Sequence, residues 1–101
     1  MPKINIEKVS TKTPVDSYTA IKNMLSDDPD LRTLDRTYQC QFDDANLSGK
    51  AKGQKFEATL TINESGPQAK VHLEVQIPLM LTPFKGMIET TLTKKLEKAL
   101  S

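Results

Sequence analysis

The chain holds one histidine, His72, and one cysteine, Cys40. Nucleophilic catalysis needs a nucleophile with a base held beside it. His72 falls on the polar side of the alternating run Lys70-Val71-His72-Leu73-Glu74, which turns it toward solvent. Cys40 alternates with polar neighbours in Tyr38-Gln39-Cys40-Gln41-Phe42 and reads as a small buried hydrophobe. A lone cysteine forms no internal disulfide, in keeping with a reducing compartment. Asp27-Asp28-Pro29-Asp30 lacks the alternating acids, central glycine and terminal Glu of a calcium loop, and reads as a capped turn. Gly49-Lys50-Ala51-Lys52-Gly53 lacks the Gly-Lys-Ser/Thr ending of a phosphate loop, and its lysines alternate as strand residues do. Lys50, Lys52, Lys55 and Lys70 share a polar face with Glu57, Glu74 and His72. No aromatic side chain interleaves there for bases to stack on, so the face reads as mixed and solvated. The expectation is a non-enzyme with no catalytic residues, no cofactor and no metal.

The informative segment is Pro78-Leu79-Met80-Leu81-Thr82-Pro83-Phe84-Lys85-Gly86-Met87-Ile88-Glu89. Neither alternation nor a helical period buries all of Leu79, Met80, Leu81, Phe84, Met87 and Ile88 on one face. By helical angle Met87 stands roughly 140° from the centre of a Phe84/Ile88/Leu92 stripe. Gly86 in a first helical turn costs about 1 kcal/mol against Ala, and suggests close approach of another backbone. Two readings stand: a packed corner, or an exposed apolar contact for a partner, a ligand or a water-insoluble surface.

The elements that position this corner follow from periodicity. Lys3 to Val9 alternates as a strand, placed at the edge of the sheet. Thr13-Pro14-Val15-Asp16 opens a helix, with Tyr18, Ile21 and Leu25 on its apolar stripe, stopping near Ser26. Asp28 can cap a short turn holding Leu31 and Leu34. Four strands follow: from Arg36 through Phe42, from Leu47 to Lys52, from Phe56 to Ile62, and from Lys70 to Ile77. The turns between them are Asp43–Asn46, Gly53-Gln54 and the loop Asn63–Pro67. Thr82-Pro83 repeats the cap-then-proline signal for a helix from Pro83 to Leu100, roughly 27 Å long and enough to span the sheet. The expected fold is α+β and two-layered, in the order β-α-β-β-β-β-α. An antiparallel sheet of four to five strands carries two helices on one face.

The chain has 101 residues, the length of one domain covering 1–101. Lys plus Arg total 14 against 13 Asp plus Glu, which argues against a nucleic-acid binder. No stretch approaches a membrane span, and the N-terminus lacks an apolar signal core, so the expected location is the cytoplasm. With no Trp, three Phe and two Tyr, the core is modest and its stability margin is thin or shared with a partner.

Leu47-Ser48-Gly49 leading into a strand, the strand Val71-Leu73-Val75, Ile77-Pro78-Leu79-Met80-Leu81, and Phe84-Lys85-Gly86-Met87-Ile88-Glu89 together resemble the polyhydroxyalkanoic acid system proteins, also called polyhydroxyalkanoate granule-region proteins. The likeness covers the C-terminal half closely and the N-terminal half by layout. It departs after the first strand, where a basic residue and a histidine belong. This chain has Lys8-Val9-Ser10-Thr11-Lys12 and no histidine there, so no role at that end is carried over. The resemblance implies a bacterial accessory protein linked to storage polyester, with a granule surface, a granule protein or another copy of itself as partner. The element order also resembles a shortened helix-grip fold, whose members hold apolar ligands between sheet and C-terminal helix. That likeness implies the alternative, a small-ligand carrier with room left by Gly49, Ala51 and Ala58.

Overall fold

A computed structural model describes residues 2–26, 28–66 and 68–101. Its elements are β1 (Lys3–Ser10), α1 (Pro14–Ser26), α2 (Pro29–Leu34), β2 (Gln39–Asp43), β3 (Ser48–Lys52), β4 (Glu57–Ser65), β5 (Gln68–Gln76), a 3-10 segment (Leu79–Phe84) and α3 (Lys85–Leu100). The five strands form one antiparallel sheet in the order β1-β5-β4-β3-β2. Alternation gives it one apolar side. Ile4, Ile6, Leu60, Val71, Leu73 and Val75 are buried there beneath Tyr18, Ile21 and Leu25 of α1 and Leu92, Leu96 and Leu100 of α3. The expected two-layer α+β architecture is present, with β1 at the sheet edge.

Two helix starts form as their sequences dictate. The Asp16 amide donates to Thr13 Oγ1 at 3.1 Å, and the Leu31 amide donates to Asp28 Oδ1 at 3.1 Å. Asp28 is held further by the Tyr38 hydroxyl, which accepts from the Asp28 amide and donates to the Leu25 carbonyl.

Several boundaries differ from expectation. The stretch from Asn63 is not a loop: β4 runs on through Ser65, paired with Gln68, so only Gly66 and Pro67 intervene. Loop-type residues are held here by a ladder whose opposite strand is continuous. Gly66 has φ +62°, which glycine adopts without strain, and Pro67 lies outside the described residues. β2 begins at Gln39 rather than Arg36, because the Thr37 amide and hydroxyl both donate to Asp35 Oδ1 and bend the chain. Leu47 sits in the turn at φ 50° rather than in β3, and Phe56, though buried, precedes β4.

The last helix departs most. Pro83 lies inside the 3-10 segment, and Thr82 Oγ1 donates back to the Leu79 carbonyl instead of capping, so α3 starts at Lys85. Rather than spanning the whole sheet, α3 packs beside α1 and over β1, while α1 covers β2 to β5. Lys8 Nζ meets Glu97 Oε1 at 2.6 Å, tying the ends of β1 and α3.

Candidate functional site

The bend between β5 and α3 is built by the backbone. The Ile77 amide donates to the Pro2 carbonyl at 3.0 Å, which closes the sheet beside β1. Pro78 is extended at φ −62° and ψ 153°, and its carbonyl accepts from the Leu81 amide at 3.0 Å. A 3-10 segment turns once in three residues, so successive side chains fan out in three directions. Only one of Leu79, Met80 and Leu81 can then face the core.

That residue is Leu81, packed partly buried against the core together with Ile88. The other four predicted contact residues are exposed: Leu79 at 76%, Met80 at 80%, Phe84 at 49% and Met87 at 63%. The sequence pattern has Phe84 open the buried stripe of the helix. It lies outside that stripe instead, because the helix begins one residue later. Met87 points outward as its helical angle requires. Gly86 has open space at its Cβ position: a methyl group there would meet nothing within 4 Å, so the expected close approach of another element is not found among the described residues.

The polar residues weighed for chemistry are engaged in the fold. Cys40 Sγ lies 3.5 Å from the Leu25 carbonyl, and burial pushes its thiol pKa up against the opposing Arg32 charge. His72 Nε2 is 3.3 Å from Asn5 Oδ1, on the polar side of the sheet. Among the described residues, no group of three or more His, Cys, Asp or Glu could hold a metal ion.

Three polar clusters went unseen in the sequence. The Tyr18 hydroxyl donates to Asp44 Oδ1 at 2.5 Å, and Lys22 Nζ reaches the same oxygen at 3.0 Å. Burial, then this bond to Asp44, raises the Tyr18 pKa to about 12. The hydroxyl and the Lys22 ammonium hold the Asp44 carboxyl below its usual range. Asp35 is buried and accepts from Thr37 and from the Lys55 amide. Lys95 Nζ meets Asp28 Oδ2 at 3.0 Å. Asp44 with Tyr18, Lys55 with Asp35 and Lys95 with Asp28 stand far apart in the chain, and no spacing rule marks those pairs.

The Phe42 ring lies across Gly49, where a Cβ would stand 2.5 Å from Phe42 Cδ1, and Ala51 and Ala58 pair with each other and are buried. A cleft of about 400 Å³ lies between α1 and α3, with Asp28, Lys95 and Lys98 in its lining. Among the described residues, no helix is long and apolar enough to cross a membrane.

Solved structures share this architecture. The Aha1 dimer from Colwellia psychrerythraea aligns with a TM-score of 0.68 at 14% identity, covering 99% of this chain and 94% of that one. A Thalictrum norcoclaurine synthase, solved with a transition-state analogue, aligns at 0.59 and 12%, covering 99% and 91%. A START superfamily protein from Mycobacterium smegmatis aligns at 0.55 and 14%, covering 97% and 96%. The fold is therefore helix-grip, or START-like. Likeness at this identity shows the fold and assigns no activity here. No curated protein matches the sequence. The model of the family described as "Putative polyhydroxyalkanoic acid system protein" matches residues 31–100, and the chain belongs to that family.

Proposed function

We propose that this is a non-enzymatic accessory protein of bacterial polyester storage, acting in the cytoplasm by apolar contact through the bend. The observation that carries the reading is that Leu79, Met80, Phe84 and Met87 are all exposed along one short bend while Leu81 and Ile88 anchor the same segment to the core. Large apolar side chains gathered at one exposed corner mark a contact surface, whereas single ones do not. Family membership supports a granule surface or granule protein as the partner. The bend's backbone is braced by its own hydrogen bonds, which suits contact with a surface.

Burying an exposed Met contributes roughly 1.5 kcal/mol, about a tenfold change in affinity. The test is a titration of purified protein onto polyester particles, beside Met80→Asp and Met87→Asp variants. The reading expects each variant to bind at least tenfold more weakly while melting at the native temperature. Equal binding by all three chains would refute it. The carrier alternative draws support from the fold likeness alone. It predicts instead that a soluble apolar probe binds the native chain and both variants equally.

A further inference from the structure

β1 forms one end of the sheet, and its ladder to β5 runs unbroken from Lys3 to Ser10. Among the described residues, Lys3 to Val9 make no other backbone–backbone hydrogen bond. α3 packs over the inner face of this strand, so its outer rim of amides and carbonyls is the part open to another chain. Free rims of this kind recruit further strands unless a bulge, a proline or an unpaired inward charge blocks them. The register shows no bulge, and the inward charge, Lys8, is neutralised by Glu97.

The segment Lys3-Ile4-Asn5-Ile6-Glu7 is its own complement when reversed. Turned about Asn5, Lys3 of one copy stands opposite Glu7 of the other, and Ile4 stands opposite Ile6. Directly opposed residues of an antiparallel pair share a face, so charges meet charges and isoleucines meet isoleucines. The neighbouring strand extends the pattern. Lys70 Nζ lies 3.5 Å from Glu7 Oε2, and Lys3 Nζ lies 3.6 Å from Glu74 Oε1. Across the twofold axis the polar face then reads Lys70, Glu7, Lys3, Glu74, alternating in sign, and the same row repeats in reverse on the other side. Turning about Ile6 instead would set Ile4 against Lys8 and Lys3 against Val9, so hydrophobic and charge patterning select a single register. β2 at the opposite edge has no such pattern: about Gln41 it would pair Gln39 with Asp43 and Cys40 with Phe42.

From this we infer that the chain forms a twofold homodimer by antiparallel pairing of β1 with β1 of a second copy, centred on Asn5, giving one continuous ten-stranded sheet. The interface is isologous, as a closed dimer requires. It uses the backbone rim of β1 and not the apolar side chains of the bend, and it does not depend on the contact reading.

The experiment is sedimentation and light scattering of the native chain, Lys3→Glu, Glu7→Lys, and a one-to-one mixture of the two variants. The native mass should rise from 11.3 kDa to twice that value with concentration. Each reversed chain would face itself with like charges, and its dimer should weaken at least tenfold. The mixture should recover the dimer, because an all-acidic edge then meets an all-basic one. High salt should weaken the native dimer by screening these exposed pairs. A native chain that stays monomeric at the highest concentration would overturn the inference. So would reversed chains that dimerise as the native does, or a mixture that recovers nothing. Both positions are exposed, and circular dichroism melts check that the variants fold. Met80→Asp should dimerise normally, which separates failure here from failure of the contact reading.

Discussion

Lys95 Nζ stands 3.0 Å from Asp28 Oδ2, so the last helix is clamped to the first residue before α2 by an ion pair whose carboxylate is buried. Asp28 also caps α2, and thus one side chain holds two elements. Lys95→Met keeps the aliphatic stem and removes the charge. Hydrogen bonds to charged groups are worth about 2 kcal/mol, and the variant should lose about that much in urea unfolding. An unchanged midpoint would show that the clamp is decorative.

Asp35 organises the approach to the sheet's far hairpin. Burial pushes its carboxyl up, but hydrogen bonds from the Thr37 hydroxyl and from the amides of Lys55, Thr37 and Phe56 outweigh this and bring it below its ordinary 3.8. A carboxyl lowered by folding stabilises the protein above its unfolded pKa, and that stability is lost as pH falls through the folded value. Asp35→Asn should therefore flatten the acid limb of a stability–pH curve.

The same carboxylate explains Gly53. A Cβ there would stand 2.1 Å from Asp35 Oδ2 and 3.0 Å from the Tyr38 Cα. Gly53→Ala should cost about 2 kcal/mol, since either the buried acceptor or the backbone must move. A melting temperature within a degree of native would contradict this packing.

Both tyrosines ionise late. Burial, followed by the bond to Asp44, takes Tyr18 to about 12, and burial also raises Tyr38. A proton held more tightly in the folded state contributes stability that is complete below pH 10 and is lost as pH rises through the folded value. In the native protein the tyrosinate absorbance of Tyr18 should emerge near pH 12 and that of Tyr38 above its ordinary 10.0, while denatured protein titrates both near 10. Native titration of both at 10 would contradict the burial of Tyr18 together with its bond to Asp44.

Gly86 is the opposite case to Gly53. Nothing lies within 4 Å of the place a methyl group would take, and the backbone on its C-terminal side is helical. Gly86→Ala should raise stability by about 0.5 kcal/mol through the unfolded chain's entropy. Thermal melts of the two chains side by side decide it.

The strands, the Thr13 and Asp28 caps and the outward angle of Met87 were legible because each depends on residues at most four apart. Misreadings came where the neighbouring element supplied the missing half of a local preference. Asn63 to Ser65 carry loop chemistry, yet Gln68 to Lys70 give their backbone a ladder. Thr82-Pro83 carries a start signal, yet the 3-10 segment leading out of the Ile77–Pro2 contact takes up the proline first and delays the helix to Lys85.

Which side of each strand is apolar, the element order and the charge symmetry of Lys3 to Glu7 are properties of the sequence alone, because periodicity and composition need no partner. Tertiary structure decided that Leu81 and Ile88 turn inward while Leu79, Met80, Phe84 and Met87 stay out, that α3 lies over β1 beside α1, and that Asp28 meets Lys95. Burial and long-range pairing depend on what the rest of the chain brings alongside, and no local window of residues contains that.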